Sequence, residues 1–278
     1  MKFENVHVSN FEGALYGMRN PLASWKRIDS KFGLCRYDDM PEYEVAFKWV
    51  EKENPGLDHE TGSFADFQDV YAEWLRNNGI LKFENKSELV EYAFIGPNDM
   101  DLAMRLCNGG SEHRKFLRQI QVCVDITAPI YWWKEFDTYK VGTAANSTST
   151  MHKLASKPIT YNCFEMDDYK PELIMEAFSE DNIDIHLDSK VHSMIEFLEL
   201  LRVKYNETND KEYWKELVRW LPCGWLQTRT VTMNYENLRT ICAQRRGHKL
   251  TEWGQFIDWV RKLPYADQFI FGEEVAFN

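Results

Sequence analysis

The sequence predicts an α+β fold, and three stretches carry that prediction. Residues 115–127 alternate apolar and polar side chains between Ile120 and Ile126, which is the period of a half-buried strand. Residues 97–110 and 188–204 instead place apolar side chains three and four positions apart, as in a helix that buries one face. Strand and helix patterns therefore occur together in one chain of 278 residues, in which we find no internal repeat.

Length and composition favour one large domain over residues 1–278. Hydrophobic residues make up 44% of the chain, which is enough for a core and argues against a disordered protein. The chain has no run of about 18 apolar residues and no signal-peptide character at its start, so we expect a cytoplasmic protein without a membrane span. The net charge of −11 argues against broad binding of duplex nucleic acid, because such binding needs a basic face. A small anion held by a few local cations fits that charge.

The six cysteines are scattered along the chain and include no Cys-x-x-Cys pair. They are Cys35, Cys107, Cys123, Cys163, Cys223 and Cys242. In a chain without a signal peptide, such cysteines predict reduced thiols, and their spacing does not favour a metal site.

The first 30 residues predict a strand at 6–8 and a helix from Phe11 that is broken by Pro21. Arg19, Asn20, Ser24, Trp25 and Arg27 follow the helical pattern or interrupt it, and they are candidates for contact with a phosphate or a ring. An ordinary N-terminal loop is the alternative, because loops mix such residues routinely.

Residues 31–95 are interpreted as an elaboration of the domain. Amphipathic patterns predict short helices at 43–52 and 64–78, and a third helix at 87–92. The helix at 97–110 follows, with Asn98 or Asp99 as its cap and a Gly-Gly pair at its end. It leads into Glu112-His113, where a polar loop and a functional site are equally open.

Residues 140–150 (KVGTAANSTST) are small and rich in hydroxyl groups. They follow a predicted helical stretch at 128–139 that opens at Pro129. Thr, Asn and Ser supply short donors and acceptors, which suit a concave site that holds an anion or a base edge. A polar turn closed by its own hydroxyl groups is the alternative.

The C-terminal third predicts helices at 188–204, 211–220, 234–245 and 251–262, with a β-branched strand at 228–232. Asp188 and Asn234 are the predicted caps of the first and third of these helices. The basic cluster at 245–249 lies at a helix C-terminus, where the helix dipole favours cations. Recognition of a nucleotide phosphate by the fork of Arg245 is an alternative of equal weight.

The segment from Ala128-Pro129-Ile130-Tyr131 to Lys153-Leu154 resembles the signature segment of the flavin-dependent thymidylate synthases. That family opens the segment with Ala-Pro-Ile-Phe and continues with Gln, Arg-His-Arg, Ser, Asn-Glu, Ser, Arg-Tyr and Lys-Leu. When the two segments are aligned without a gap, the family residues from Gln to Arg-Tyr fall on Glu135, Thr138-Tyr139-Lys140, Thr143, Ala145-Asn146, Thr148 and Thr150-Met151. The closing Lys-Leu falls on Lys153-Leu154. The spacing of the segment is kept, while most of its charged residues are replaced.

Two further segments carry the resemblance. Glu112-His113 precedes the predicted strand, as a Glu-His pair does in the family. Near the C-terminus, the family's Leu-Pro, Asn, Leu and Arg fall on Leu221-Pro222, Asn234, Leu238 and Arg245. A further Arg of the family, which contacts flavin, falls on Glu236 in this sequence. The Arg that directly precedes Leu-Pro in the family is shifted by one residue here, to Arg219.

The resemblance implies a central sheet flanked by long helices, a homotetramer, bound FAD and a pyrimidine nucleotide. In the family, flavin takes hydride from a reduced nicotinamide, and the one-carbon unit of methylene-tetrahydrofolate passes to deoxyuridylate. The implied roles are catalytic for Tyr139 and Lys140, substrate-binding for Glu135, Thr138, Thr143, Asn146, Thr148 and Arg245, and cofactor-binding for Glu112, His113 and Asn234. The aromatic run at 131–133 also needs a large apolar surface to cover it, which favours an oligomer.

Three functions stay open at this point. The chain is a divergent flavin-dependent enzyme, a non-catalytic protein that binds a nucleotide, or a structural protein with a vestigial cleft. The family's Arg-His-Arg cations stabilise developing negative charge, whereas Thr138 is neutral and Lys140 is a point charge. Losing two such cations is expected to cost roughly several kcal/mol of transition-state stabilisation.

Overall fold

The computed structural model describes residues 1–36, 89–170 and 187–272, and these ranges contain both helices and strands, as predicted. The strands are β1 Lys2–Ser9, β2 Lys31–Arg36, β3 Leu89–Phe94, β4 Gln121–Pro129, β5 Ala144–Ser147 and β6 Leu226–Asn234. The α-helices are α1 Phe11–Met18, α2 Pro97–Asn108, α3 Ile130–Phe136, α4 Thr150–Lys153, α5 Leu187–Thr208, α6 Lys211–Trp220, α7 Tyr235–Arg245 and α8 Thr251–Arg261. Within these ranges, no helix has the length and apolar character needed to cross a membrane.

The strands form two sheets. One has four strands in the order β1-β4-β6-β5, and the other is an antiparallel pair of β2 and β3 in the register Lys31↔Phe94 to Arg36↔Leu89. The hydroxyl groups of Thr127 and Thr228 lie 2.7 Å apart, and Thr230 donates to Asp125. The neighbouring strands β4 and β6 therefore run in opposite directions.

The chain divides into two compact units, with the divisions inside β1, β4 and β6 and around residues 141–143. Unit 1 consists of Met1–Glu4, Val124–Lys140 and Ala144–Val231. Unit 2 consists of Asn5–Cys123, Val141–Thr143 and Thr232–Asn278. Each unit buries apolar side chains of its own, and we describe the two separately.

The core of unit 2 is aromatic. Phe11 of α1 meets the rings of Tyr235 and Tyr265 edge-on, with 5.7 Å between ring centroids in each pair. Tyr235 is fully buried and donates to the carbonyl oxygen of Pro264 at 2.6 Å, and desolvation raises its pKa well above the usual value. The helical face predicted for residues 11–18 is confirmed, because its apolar side chains are buried.

The core of unit 1 contains the pair of helices α5 and α6. Six buried residues form its cluster, namely Leu154, Ile159, Phe164, Ile195, Leu198 and Leu217. The stripe predicted for α5 is only partly buried, since Met194 is 36% exposed. Asp188 lies inside α5, which begins at Leu187, so its prediction as the cap of this helix is wrong.

An aromatic run follows β4 at residues 131–133. Trp132 and Trp133 are both inaccessible to solvent, and Trp132 stacks on Phe136 with ring centroids 5.1 Å apart. Trp133 meets Trp132 edge-on at 4.9 Å. Trp132 and Trp133 are therefore covered within the chain, whereas Tyr131 is half-buried, and the homotetramer stays a prediction.

Several predicted boundaries are wrong. Lys115–Arg118 is a 3₁₀ turn and the strand begins at Gln121, because the adjacent Phe116 and Leu117 are both buried, which an alternating strand does not allow. Residues from Leu89 belong to β3 rather than to a helix at 87–92, because they pair with β2. The predicted helices at 43–52 and 64–78 lie outside the described residues.

The cap of α2 comes from a distant part of the chain. The Oδ2 atom of Asp29 accepts from the amide of Asn98 at 2.8 Å, and its Oδ1 atom accepts from the amide of Asp99 at 3.0 Å. Both donors belong to the first turn of α2, where backbone amides lack partners within the helix. The predicted caps Asn98 and Asp99 are therefore corrected to Asp29, which leaves the Asp99 side chain available for another role.

Candidate nucleotide-binding site

The predicted catalytic triplet follows α3 in unit 1. Thr138 donates from its hydroxyl and from its amide to the carbonyl oxygen of Glu135, at 2.7 and 3.1 Å. Tyr139 is half-buried, with its ring centroid 6.3 Å from that of Phe136, and Lys140 is exposed. The Thr138 hydroxyl thus closes the end of α3, and Lys140 is the exposed cation of the triplet.

The hydroxyl-rich run becomes an edge strand instead of a loop. Asn146 lies in β5 and is exposed, and Thr148 directly after it is exposed as well. The amide of Thr148 donates to the carbonyl oxygen of Thr228 at 2.9 Å, and its carbonyl oxygen accepts from Gln227 at 3.0 Å. The backbone of Thr148, directly after β5, is therefore bonded to the Thr228 carbonyl oxygen and to the Gln227 side chain of β6, while the side chains of Asn146 and Thr148 are exposed.

Arg229 of β6 brings a cation to the helix that precedes the triplet. Its guanidinium carbon lies 4.3 Å from the ring centroid of Trp133, its Nη1 atom donates to Asp137 at 2.7 Å, and its Nε atom donates to Gln227 at 3.1 Å. The side chain is largely buried. Desolvation strengthens both the ion pair and the cation–π contact. The sequence analysis missed Arg229, whose only local signal is its place in a β-branched strand.

In unit 2, Asn234 caps α7 as predicted. Its Oδ1 atom accepts from the amide of Asn237 at 3.0 Å, and the Asn237 side chain returns the bond to the Asn234 amide at 3.2 Å. Asn237 also donates to the carbonyl oxygen of Val141 at 2.8 Å. Gly142 has φ +78°, and a Cβ atom there would lie 3.2 Å from Nδ2 of Asn234. Residues 141–143 therefore lie against the N-terminus of α7, and the cofactor role of Asn234 stays a prediction.

Arg245, the other family position on α7, is held by an aromatic ring. Its guanidinium carbon lies 4.5 Å from the ring centroid of the fully buried Trp253, and the side chain is half-buried. Lys249, in the same basic cluster, is exposed. The two cations thus differ in how firmly they are positioned, and only Arg245 is preorganised by packing.

Glu236 is paired with a cation of unit 2. Its Oε2 atom accepts from Nε of Arg114 at 2.8 Å, and both side chains are mostly buried. Arg114 directly follows Glu112-His113 in the sequence. The pair fixes the turn after α2 against α7 within unit 2, so the sign change at 236 is matched by a structural partner.

A cleft of about 530 Å³ in unit 2 brings together residues that the sequence analysis singled out separately. Arg19, Ser24 and Arg27 line it from the segment after α1, and Glu112-His113 line it from the turn after α2. Its volume falls in the range of pockets that bind small molecules and cofactors. Trp25 takes another role, because it stacks on Tyr16 and donates to Asn20 at 2.9 Å.

Cations outnumber carboxylates among the residues that line this cleft. The cationic side chains are Arg19, Arg27, Arg105 and Lys115, and the acidic ones are Asp101 and Glu112. Arg105 pairs with Asp101 at 2.8 Å on the exposed surface of α2. A hydrogen bond from its own backbone amide lowers the pKa of Glu112, whose carboxylate lies 3.6 Å from Nε2 of His113. Arg19 and Arg105 are each paired with a carboxylate, so Arg27 and Lys115 are the lining cations that favour an anionic ligand at this place.

Arg19 is fixed by a buried carboxylate. Its Nε atom donates to Oδ1 of Asp99 at 2.6 Å, and both side chains are buried. The Oδ2 atom of Asp99 accepts from the hydroxyl of Ser30 at 2.6 Å, from its amide at 3.0 Å and from the amide of Asp29 at 3.2 Å. This network orients the Arg19 guanidinium before any ligand arrives.

Comparison with known proteins assigns no family. No protein-family model and no curated protein matches the sequence. Two crystal structures of flavin-dependent thymidylate synthase ThyX from Helicobacter pylori, both with FAD and dUMP, are similar to this chain. One is 14% identical with a TM-score of 0.45, over 88% of this chain and 98% of that chain. The other is 15% identical with a TM-score of 0.46, over 88% and 97%. Likenesses at this level do not fix a function, so the site is judged on its own residues.

The cysteines form no part of the candidate site. Cys107, Cys123, Cys163, Cys223 and Cys242 are unpaired thiols, and burial raises the pKa of Cys107 and of Cys242 to about 12. Thiols with such a pKa are poor nucleophiles near neutral pH. Across the same part of the chain, no cluster of His, Cys, Asp or Glu is arranged to hold a metal ion.

Proposed function

We propose that the chain is a flavin-dependent thymidylate synthase-like protein that holds FAD in the cleft of unit 2 and binds a pyrimidine nucleotide of the deoxyuridylate type. The observation that supports this proposal is the cleft itself. It gathers Arg19 and Arg27, which are candidates for contact with a phosphate or a ring, with Glu112 and His113, to which the resemblance gives a cofactor role. A single thymidylate synthase-like domain over 1–278, with an elaboration at about 31–95, belongs to the same proposal.

The residues of the cleft fit a flavin dinucleotide by their chemistry. Arg27 and Lys115 supply charge for a diphosphate, Ser24 and Asn98 supply polar groups for ribose or a ring edge, and Glu112 and His113 complete the set. When bound, the flavin supplies hydride-transfer chemistry. In this proposal the chain itself binds the cofactor, orients it and neutralises its charge.

The nucleotide is proposed to contact residues that the sequence analysis named. Arg245, preorganised on Trp253, is proposed to donate to the phosphate, and Thr143 to contact the nucleotide from unit 2. In unit 1, Tyr139 and Lys140 keep their proposed catalytic roles. The other proposed substrate contacts of that unit are Glu135, Thr138, Asn146 and Thr148. Reduced nicotinamide and methylene-tetrahydrofolate are proposed co-substrates of an active enzyme, which we propose to be a cytoplasmic homotetramer.

A non-catalytic nucleotide-binding protein is the second candidate function. Two observations favour it: the Thr138 hydroxyl is bonded to the Glu135 carbonyl oxygen, and Glu236 is paired with Arg114 in place of a family cation. Both side chains thus make their contacts with other residues of this chain. Binding of a nucleotide without turnover of methylene-tetrahydrofolate would support this second function.

Arg245→Ala is expected to weaken binding of deoxyuridylate by about 2 kcal/mol, because a desolvated guanidinium fork is lost from its phosphate. Calorimetric titration of the protein with the common pyrimidine nucleotides measures this effect, with and without FAD. Lys249→Ala is the matched control, because Lys249 is an exposed cation of the same cluster and its loss is expected to change affinity much less. An absence of heat with every nucleotide would leave only a structural role for the fold.

A further inference from the structure

One nitrogen atom of the buried Arg19 has no acceptor. The Arg19 side chain is 4% exposed, and its Nε atom is bonded to Asp99. Its Nη2 atom is buried and finds no hydrogen-bond acceptor in the part of the chain that the structure describes. Buried polar groups in folded proteins nearly always have a partner, and a charged donor is the group least tolerated without one.

The neighbouring carboxylate accepts hydrogen bonds from several donors, and Nη2 of Arg19 is not one of them. Its Oδ1 atom accepts from Nε of Arg19, and its Oδ2 atom accepts from the hydroxyl and the amide of Ser30 and from the amide of Asp29. These bonds hold the guanidinium in one orientation, with one edge bound to protein and Nη2 without an acceptor. The guanidinium is therefore a preorganised cation, because folding and not ligand binding supplies the free energy that orients it.

Arg19 also lines the basic cleft of unit 2, where Arg27, Arg105 and Lys115 add positive charge. We propose that the buried end of this cleft is a phosphate subsite, in which Nη2 of Arg19 donates a hydrogen bond to a phosphate oxygen and Asp99 acts as a positioning residue. This inference rests on the proposed function, which identifies the rest of the ligand. It adds the residue that recognises the phosphate group, Arg19, and the residue that positions it, Asp99.

Phosphate fits this subsite better than a carboxylate does. Several cations line the same cleft, which suits a group that carries more than one negative charge and several acceptor oxygens. Charge-assisted bonds from a guanidinium to phosphate are short and strong, and a planar guanidinium fixes their direction. A carboxylate has two oxygens and one negative charge, so it would leave the additional cations of the cleft without an anionic group to contact.

The test is calorimetric titration with inorganic phosphate and inorganic pyrophosphate, with the dicarboxylate glutarate as the contrast. Arg19→Lys keeps the charge beside Asp99 but replaces the fork by one ammonium group, and it is expected to weaken pyrophosphate binding by about tenfold or more. Arg118→Ala removes an exposed cation outside the cleft lining and is expected to change the dissociation constant less than about twofold. Unchanged pyrophosphate affinity in Arg19→Lys would overturn the proposal, as would equal binding of glutarate.

Hydrogen exchange of the unmodified protein provides a second measurement that does not depend on a variant folding. Pyrophosphate is expected to slow exchange of backbone amides at 19–27 and 112–119, which line the cleft or adjoin its lining, and to leave those of α6 unchanged. Unchanged exchange at saturating pyrophosphate would overturn the phosphate subsite. Because pyrophosphate has no base and no flavin ring, its binding without binding of nucleotides or FAD would keep the subsite and reject the proposed function. The reverse result would reject the subsite alone.

Discussion

Asp99→Ala is expected to lower the free energy of unfolding by about 3–5 kcal/mol, because it leaves the buried Arg19 guanidinium without its counter-charge. The substitution also removes the acceptor of the Ser30 hydroxyl and amide, two further donors at 2.6 and 3.0 Å. Urea denaturation followed by circular dichroism measures the difference. The loss should greatly exceed that of an ordinary surface ion pair, since both partners are buried.

Asp101→Ala is the matched control, because it removes the same side chain two positions further along α2. Asp101 is 64% exposed and pairs with the exposed Arg105, so its loss should change the free energy of unfolding by no more than about 1 kcal/mol. Similar losses for the two variants would show that the Arg19–Asp99 network does not hold unit 2 together. Asp99→Asn should fall between them, since it keeps the shape and loses the charge.

Trp133→Ala is expected to cost about 3–5 kcal/mol of unfolding free energy, which is the usual effect of removing a fully buried indole. Three contacts disappear with the ring. Its Nε1 atom donates to the carbonyl oxygen of Gln227 at 2.9 Å, Arg229 lies over its face, and Trp132 meets it edge-on. Thermal and urea denaturation measure the loss, and Arg229 should become more exposed to solvent.

Trp220→Ala provides the control in unit 1. Trp220 is 57% exposed and donates from its indole to Glu216 at 3.1 Å, so its removal should cost about 1 kcal/mol or less. Trp133→Phe keeps an aromatic ring but leaves the Gln227 carbonyl oxygen without its donor, and an intermediate loss is expected. Equal effects of the Trp133 and Trp220 substitutions to Ala would contradict the full burial of Trp133.

Local signals in the sequence were sufficient for the elements whose causes are local. The apolar face of α1 follows from helical spacing, and the start of α7 follows from the cap at Asn234, four residues or fewer from its partners. Pairing between distant segments gave no such signal. The β3 strand was taken for a helix because its partner β2 lies more than 50 residues earlier.

The candidate site divides in the same way. Arg19 and Glu112-His113 could be named from the sequence one at a time, because cations and Glu-His pairs are recognisable residue types. Their common cleft could not be predicted, because it depends on the packing of segments about 90 residues apart. Helix-capping rules place Asp99 at the cap of α2, whereas Asp29, about 70 residues earlier, caps that helix and Asp99 pairs with Arg19.

Titration of the protein with FAD, followed by the quenching of flavin fluorescence and by the absorbance retained after desalting, tests the central claim most directly. We expect saturable quenching, and about tenfold weaker binding when Arg27 and Lys115 are both replaced by Ala, because both cations line the cleft. Replacement of Arg118 by Ala should leave the titration curve unchanged. No saturable quenching by the unmodified protein, or equal binding by the double variant, would contradict a flavin site in the cleft of unit 2.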